Sequence, residues 1–187
     1  SQRNGNYMIF FPSYSFLNEV ADRFALHYGQ TCTVLRQRSG MQEEEREKFL
    51  GRFDEIYDDQ TLLGFCVMGG IFSEGIDLKK DSLIGVMIVG TGIPQVCAER
   101  ELLKKYFDGK GQNGYDYAYR FPGMNKVQQA AGRVIRTSED VGIVVLIDDR
   151  FLTPACRRLF PAEWSNAQIT DSREVGRLAE KFWNEWL

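Results

Sequence analysis

The chain alternates short apolar runs with stretches in which apolar residues recur every three or four positions. A short apolar run is typical of a strand that is covered on both faces, as strands in parallel sheets are. Pro12 ends the first run, because its ring fixes its own φ and biases the preceding residue towards extended backbone. The runs predict five strands, at 7–11, 31–35, 62–68, 83–89 and 143–147.

Helical spacing of apolar residues predicts a helix after most of these strands. The first helix begins after Ser13 or Ser15, either of which can act as the N-cap, and ends near Gly29. Further helices are expected at 41–53, about 96–107, 129–136 and 172–186. The last helix is expected to face inward with Val175, Leu178, Ala179, Phe182 and Trp186.

Residues 108–125 show no clear period and are predicted to be the least regular part of the chain. They combine four glycines and a proline with several aromatic residues. Such aromatic side chains either stack on nucleic-acid bases or pack on the domain itself. The aromatic residues are Tyr115, Tyr117, Tyr119 and Phe121.

Alternating strands and helices predict an α/β fold, a mostly parallel sheet with helices on both faces. With 187 residues, the chain is expected to form a single domain over 1–187. Hydrophobic residues make up 43% and charged residues 26%, as in ordinary globular proteins. No apolar run approaches the roughly 18–20 residues of a membrane span, and no signal-peptide pattern opens the chain. We therefore expect no membrane partner and a cytoplasmic location.

The four cysteines are scattered along the chain without a C-x-x-C pair, so the sequence predicts no metal site and no iron–sulfur site. Buried free thiols in a reducing compartment are expected instead. The cysteines are Cys32, Cys66, Cys97 and Cys156.

Charge is unevenly distributed along the sequence. A net charge of −3 argues against a protein that coats nucleic acid by bulk electrostatics. However, residues 43–59 hold eight acids against three bases, whereas residues 99–136 hold eight bases against four acids. A phosphate-facing surface is therefore expected on the second segment, and the acidic run is expected to be a solvated helix face.

The stretch Gln129–Arg136, QAAGRVIR, carries the strongest candidate chemistry. On a helix, Gln129, Gly132, Arg133 and Arg136 would share one face, with Val127, Ala131, Val134 and Ile135 opposite. Glycine costs roughly 1 kcal/mol relative to alanine inside a helix, so its presence between two arginines suggests close approach of an anion. The alternative is an amphipathic helix with a solvated charged face.

Two other segments follow predicted strands. Ser13 and Tyr14 lie where the first strand meets a helix N-terminus, which favours a backbone phosphate but also fits a simple capping turn. The loop after the third strand places Glu74 and Asp77 around Gly75, among apolar neighbours. A glycine-rich loop at the carboxyl end of a parallel strand is a usual ligand position.

Three of these stretches resemble conserved motifs of superfamily-2 helicases, most closely of the DinG/XPD branch. QAAGRVIR, from Gln129, resembles motif VI; FFPSY, from Phe10, resembles motif IV; and SEGID, from Ser73, resembles motif V. The resemblance runs from about Tyr7 to the segment 159–161. It implies a RecA-like fold and the second motor domain of an ATP-dependent DNA helicase, and a bacterial source is expected.

The resemblance also implies roles for individual residues. It makes Arg133 and Arg136 arginine fingers, with Gln129 beside them in the catalytic group. This sequence departs from the family pattern at Ile71, where many members have a basic residue, so no phosphate contact is expected at that position. The nucleotide-binding set is Glu74, Gly75, Asp77 and Gly132, and the nucleic-acid-binding set is Ser13, Tyr14 and Ser73.

The sequence contains neither a G-x-x-x-x-G-K-[ST] loop nor a D-E-A-H pair. ATP and Mg²⁺ are therefore expected to be held mainly by a first motor domain of the same polypeptide, and none by this fragment alone. The expected partners are that domain and single-stranded DNA, and the fragment is expected to be an inactive monomer. The alternative function is a non-catalytic module that binds nucleotide or single-stranded nucleic acid.

Overall fold

A parallel sheet forms the centre of the molecule. The computed structural model describes residues 3–54, 60–72, 83–135, 137 and 139–186. All strand pairs in the sheet are parallel, in the spatial order β2-β3-β1-β4-β5. The predicted α/β fold is confirmed. The ends of the strands differ from the expected ones by at most two residues. The strands are β1 (Gly5–Phe11), β2 (Thr33–Arg36), β3 (Thr61–Val67), β4 (Gly85–Val89) and β5 (Ile143–Ile147).

Helices connect and cover these strands. A π-helix at Asp116–Arg120 leads directly into the fourth α-helix, and 3₁₀ turns lie at Asp149–Leu152 and Ala162–Trp164. The α-helices are α1 (Tyr14–Tyr28), α2 (Glu43–Asp54), α3 (Ala98–Gly109), α4 (Phe121–Ala131), α5 (Pro154–Arg157) and α6 (Val175–Trp186). No helix in the described ranges is both long enough and apolar enough to cross a membrane.

The core has one layer on each face of the sheet. Side chains alternate along β1, so Met8 and Phe10 enter one layer while Tyr7 and Phe11 enter the other. The first layer is completed by α2 and α4, and the second by α1 and α6. Their buried contributions are Phe49, Phe53, Met124 and Val127 on the first face, and Leu17, Ala21 and Trp183 on the second. Helices therefore cover both faces, as expected.

The prediction that 108–125 is irregular was wrong, because its aromatic residues order it. Phe107 of α3 stacks on Tyr117 with ring centroids 3.9 Å apart, and Tyr115 stacks on Tyr119 at 5.3 Å. Pro122 is the second residue of α4 and follows the π-helix directly, so the proline, which has no N–H to donate, lies where one helical hydrogen-bond pattern gives way to the other. These contacts support packing on the domain rather than base stacking for this segment.

The inward face of α6 also differs from the prediction at one position. Trp186 is 61% exposed, whereas Trp183 is 3% exposed and lies beneath the Arg3 guanidinium, 4.6 Å from the ring centroid. Either tryptophan fits the apolar period that Ala179 begins, and Trp183 is the one that enters the core layer.

The cysteines are all free thiols, but they are not all buried. Cys66 and Cys156 are buried, Cys32 is half-buried and Cys97 is exposed at the start of α3. Burial raises the pKa of the Cys66 thiol well above its ordinary value, because the thiolate would lose its hydration. Cys66 is therefore an inert core residue.

The sheet order creates a topological switch point between β1 and β4. These neighbours are parallel, but α1 follows β1 onto one face of the sheet, while α4, which follows β4, packs on the other face. In open α/β sheets, ligands bind outside the carboxyl ends of strands at such a switch point. The fold thus directs attention to the residues that follow β1 and β4.

Candidate nucleotide and nucleic-acid interface

Every strand is parallel, so the segments that follow the strands meet at one edge of the sheet. The predicted site residues lie in the segments after β1 and β3 and in the stretch that begins near the end of α4. The segments at this edge are 12–14 after β1, 37–40 after β2, 68–72 after β3, 90–97 after β4 and 148–150 after β5.

Ser13 is exposed and is the N-cap of α1, which settles the choice between Ser13 and Ser15. Its backbone is extended, with φ −159° and ψ 161°, and its Oγ accepts a hydrogen bond of 3.2 Å from the Phe16 amide. Capping uses the oxygen as an acceptor, so the hydroxyl proton is still available to an outside acceptor. The capping role is therefore observed and is compatible with a phosphate contact.

Tyr14 is fixed by Gln37, a residue that sequence analysis left in an unassigned loop. Gln37 is 2% exposed, and its Nε2 donates to the Tyr14 hydroxyl at 2.9 Å. Its Oε1 accepts a hydrogen bond from the Val67 backbone amide at 2.8 Å, and the backbone amide of Gln37 donates to the Phe65 carbonyl. Gln37 thus joins the ends of β2 and β3 to the start of α1. A polar residue directly after a strand was the only signal for this role in the sequence.

We expect Gln37→Leu to lower the free energy of unfolding by about 1–3 kcal/mol, because the Val67 amide would be left buried without its acceptor. Tyr14→Phe is the matched control, since it removes only the Tyr14 hydroxyl and leaves the Val67 hydrogen bond intact. Chemical denaturation of both variants measures the difference. Equal losses for the two variants would contradict the role given to the Val67 hydrogen bond.

The predicted helix over 129–136 was wrong, because α4 ends at Ala131 and Gly132 is its C-cap. The next amides turn more tightly, with Arg133 N donating to the Ala130 carbonyl at 3.2 Å and Val134 N to the Ala131 carbonyl at 3.1 Å. Contacts between residues three apart are those of a 3₁₀ turn, which often closes an α-helix. The continuous helix on which Gln129, Gly132 and Arg133 were expected to share one face therefore ends at Ala131, and Arg136 lies outside the described residues.

This helix end also changes the argument from Gly132. The glycine caps α4, so its position no longer requires a bound anion as an explanation. Gln129 and Gly132 are exposed and Arg133 is half-buried. On the apolar side, Val127, Ala131 and Val134 are buried as predicted, but Ile135 is 46% exposed.

Close backbone contacts hold α4 against the edge of the sheet. Gly92, after β4, has φ +65°, and a Cβ added there would lie 2.5 Å from the Gly123 carbonyl oxygen at the start of α4. A Cβ at Gly123 would lie 2.6 Å from the Thr91 carbonyl oxygen. Two glycines facing each other thus let helix and loop touch, which fixes the position of Gln129 and Arg133.

Lys126 is a second residue that sequence analysis missed. Its side chain crosses Gly69 after β3, where an added Cβ would be 2.9 Å from the lysine Cε. A half-buried cation beside the loop after β3 could only be found once α4 was placed over that loop. Ile71, in the same segment, packs against the core.

Several predicted site residues lie outside the described residues. They are Ser73, Glu74, Gly75, Asp77 and Arg136. Within the described ranges, no group of three or more histidine, cysteine, aspartate or glutamate side chains is arranged to hold a metal ion.

Residues 1–167 match the family model of the helicase C-terminal domain. The chain belongs to this family. A regulator of telomere elongation helicase 1 homolog from Anopheles gambiae is 27% identical over 186 residues, which cover 91% of this chain and 18% of the relative. The Aedes aegypti homolog is 29% identical over 161 residues, which cover 79% of this chain and 16% of the relative.

The chain therefore spans less than a fifth of the length of these curated relatives. Together with the family match, they place this helicase C-terminal domain in the DinG/XPD-like branch of superfamily 2, as the three motifs predicted. Both relatives are insect proteins, so the expected bacterial source stays a prediction.

Solved structures agree with this placement at the level of fold. An XPD helicase structure superposes with a TM-score of 0.67 at 22% identity, covering 89% of this chain and 28% of that one. The C-terminal domain of the DEAD-box protein Dbp5 superposes with a TM-score of 0.50 at 17% identity, covering 95% of this chain and 83% of that one. The RecA-like fold is thus confirmed.

Proposed function

We propose that this helicase C-terminal domain is the second half of an ATP-dependent DNA motor and supplies arginine fingers to a first motor domain elsewhere in the polypeptide. The observation that carries the proposal is the position of α4, which begins beside Gly92 at the carboxyl edge of the sheet and ends with exposed Gln129 and the Arg133 turn. The next residue, Val134, lies beside Gly142 and Ile84, where β5 and β4 begin. The contact between Gly92 and Gly123 holds the start of α4 in place, at the opposite end of the helix from Arg133.

The chemistry asked of Arg133 is to neutralise charge that develops on the γ-phosphate during hydrolysis. A guanidinium is always charged and offers a planar fork of donors that matches phosphate oxygens. A preorganised donor of this kind stabilises the transition state more than the ground state, which is what accelerates the reaction. Arg136 is the proposed second finger, and Gln129, near the end of α4, is proposed to act beside the two arginines in the catalytic group.

The residues of this domain fit a phosphate but not the magnesium ion that ATP brings. The described part of the chain offers no cluster of acidic side chains for Mg²⁺, and the sequence lacks a Walker loop. We therefore propose that the first motor domain holds Mg²⁺ and most of the ATP. Glu74, Gly75, Asp77 and Gly132 complete the proposed nucleotide surface from this side.

Single-stranded DNA is the proposed track. Ser13 is exposed at the N-terminus of α1, where N–H groups and a hydroxyl favour a backbone phosphate. Tyr14 is held beside it by Gln37, and Ser73 is the third proposed contact. Contacts to phosphates carry no sequence information, so binding is expected to tolerate any sequence. Closing and opening of the two motor domains with ATP turnover would then move the strand.

We expect the 187-residue chain alone to show no DNA-stimulated ATP hydrolysis, because half of the nucleotide site is contributed by another domain. The measurement is ATP turnover by purified chain, with and without oligothymidine, beside a protein that also contains the first motor domain. Turnover that persists in the isolated chain through repurification would contradict the proposal. DNA binding without turnover by the longer protein would favour a non-catalytic binding module.

A further inference from the structure

Residues 68–70, directly after β3, lie between α4 and the start of α1. The Met68 amide donates to the Phe11 carbonyl at 2.9 Å, which ties the segment to the end of β1. A Cβ added at Gly92 would lie 2.8 Å from the Met68 sulfur and 2.5 Å from the Gly123 carbonyl oxygen. The Met68 side chain therefore reaches the point where α4 packs against the loop after β4.

Gly69 is covered by α4 through the side chain of Lys126. A Cβ added at Gly69 would lie 2.9 Å from Cε and 3.0 Å from Cδ of Lys126, so the lysine methylene groups lie on the glycine backbone. Lys126 is half-buried, and a lysine stem can pack as an apolar side chain while its ammonium group stays in water. Gly69 has φ +71°, so the missing side chain permits both this backbone conformation and the close contact with the lysine.

Gly70, the next residue, lies against Gln37. A Cβ added at Gly70 would lie 3.1 Å from Nε2 of Gln37, the same nitrogen that donates to the Tyr14 hydroxyl at 2.9 Å. Oε1 of Gln37 accepts from the Val67 amide, so both polar atoms of the side chain are engaged. Gln37 is 2% exposed, and a buried side chain in a close-packed interior cannot move without displacing the groups around it.

Residues 68–70 therefore complete a chain of contacts between the two proposed sites. α4 has 11 residues and is about 16 Å long, and the turn with Arg133 follows it directly. Lys126 lies about two helical turns before Arg133. Packed side chains and hydrogen bonds can carry energetic coupling between distant sites when a rigid element moves. A displacement of α4 would thus reach Tyr14 through Lys126, the two glycines and Gln37.

We infer that Gln37 and Lys126 are positioning residues that couple the nucleotide side of this domain to its nucleic-acid side. Lys126 fixes residues 68–70 to α4, and Gln37 fixes Tyr14 to the same residues. The inference rests on the proposed function, in which Arg133 approaches the γ-phosphate and Tyr14 contacts the DNA strand. In this arrangement neither positioning residue has to touch ATP or DNA itself.

The first test is a double-mutant cycle of Gln37→Leu and Tyr14→Phe in the longer protein that contains the first motor domain. The readout is the stimulation ratio, which is ATP turnover with saturating oligothymidine divided by turnover without it. We expect each single variant to lower this ratio about fivefold and the double variant to lower it no further, because both changes remove the same link. An unaltered ratio in either single variant, or losses that multiply in the double variant, would overturn the inference.

The ratio separates coupling from stability. A variant that is only less stable loses active enzyme, which lowers both turnovers by the same factor and leaves the ratio unchanged. Thermal melts identify a temperature at which every variant is folded. Gln30→Leu is the matched control, because it makes the same chemical change at an exposed position in the turn before β2, at the opposite edge of the sheet. Its ratio should equal that of the unaltered protein.

Lys126→Met and Lys126→Ala separate the lysine stem from its charge. Methionine is unbranched and flexible, so it can keep the contact with Gly69 without the ammonium group, whereas alanine removes both. We expect the methionine variant to keep the unaltered stimulation ratio and the alanine variant to lower it about fivefold. Equal losses in the two variants would mean that the charge acts directly on a phosphate. That outcome, or an unaltered ratio in Lys126→Ala, would overturn the positioning role.

The unaltered longer protein distinguishes failure of this inference from failure of the proposed function. If its ATP turnover does not rise with oligothymidine, the proposed function is wrong and the inference is wrong with it. If turnover rises but Gln37→Leu and Lys126→Ala keep the unaltered ratio, the motor function stands and only the coupling through these two residues is wrong.

Discussion

Arg133→Ala is expected to reduce DNA-stimulated ATP turnover by a factor on the order of 10³ when this domain is joined to its first motor domain. The loss should appear in kcat, because the guanidinium is proposed to act on charge that develops during the reaction rather than on bound ATP. Arg136→Ala is expected to behave in the same way. Steady-state kinetics of the longer protein with saturating oligothymidine give the measurement.

Lysine should rescue either position poorly. An ammonium keeps the positive charge but loses the planar fork, so Arg133→Lys should resemble Arg133→Ala more than the unaltered protein. Arg173→Ala is the matched control, because Arg173 is an exposed arginine that precedes α6. Both alanine variants could instead show ATP turnover and melting temperatures equal to those of the unaltered protein. That result would mean that the segment after α4 is a structural surface with no role in catalysis.

The strands could be predicted because burial on both faces makes each one an apolar run in the sequence. The same physics predicted that Val127, Ala131 and Val134 are buried. The prediction failed at the end of α4. Val134 is buried at the spacing expected for a helix, although the α-helix has already ended before Gly132. A period reports which side chains are buried, whereas the geometry of a helix end depends on hydrogen bonds that no period records.

The candidate site was only partly predictable for a different reason. Ser13 and Arg133 lie in contiguous motifs, so neighbours in the sequence identify them. Gln37 acquires its role from partners more than twenty residues away in the sequence, which only the folded chain reveals. The segment 108–125 was misread because its glycines suggested a loop, while stacking between Phe107 and Tyr117 ordered it.

Gly92→Ala is expected to lower the free energy of unfolding by about 2–5 kcal/mol, from two separate costs. An alanine at φ +65° lies in the left-handed region, which costs an L-residue roughly 1–2 kcal/mol. Its Cβ would also meet the Gly123 carbonyl oxygen at 2.5 Å and the Met68 sulfur at 2.8 Å. The carbonyl belongs to the backbone of α4 and can only yield if the helix moves, which adds about 1–3 kcal/mol.

Gly51→Ala is the control for this substitution, because it makes the same chemical change inside α2. Gly51 is exposed, and no described atom lies within 4 Å of an added Cβ. Alanine there should raise the free energy of unfolding by up to about 1 kcal/mol, since glycine is the poorer helix former. Denaturant titrations of the two variants should therefore move in opposite directions. Because the turn with Arg133 directly follows α4 and would move with the helix, the Gly92 variant should lose ATP turnover in the longer protein even at temperatures where it remains folded. Normal stability of Gly92→Ala would mean that α4 does not pack against the loop after β4. That result would also contradict the proposed position of the arginine finger.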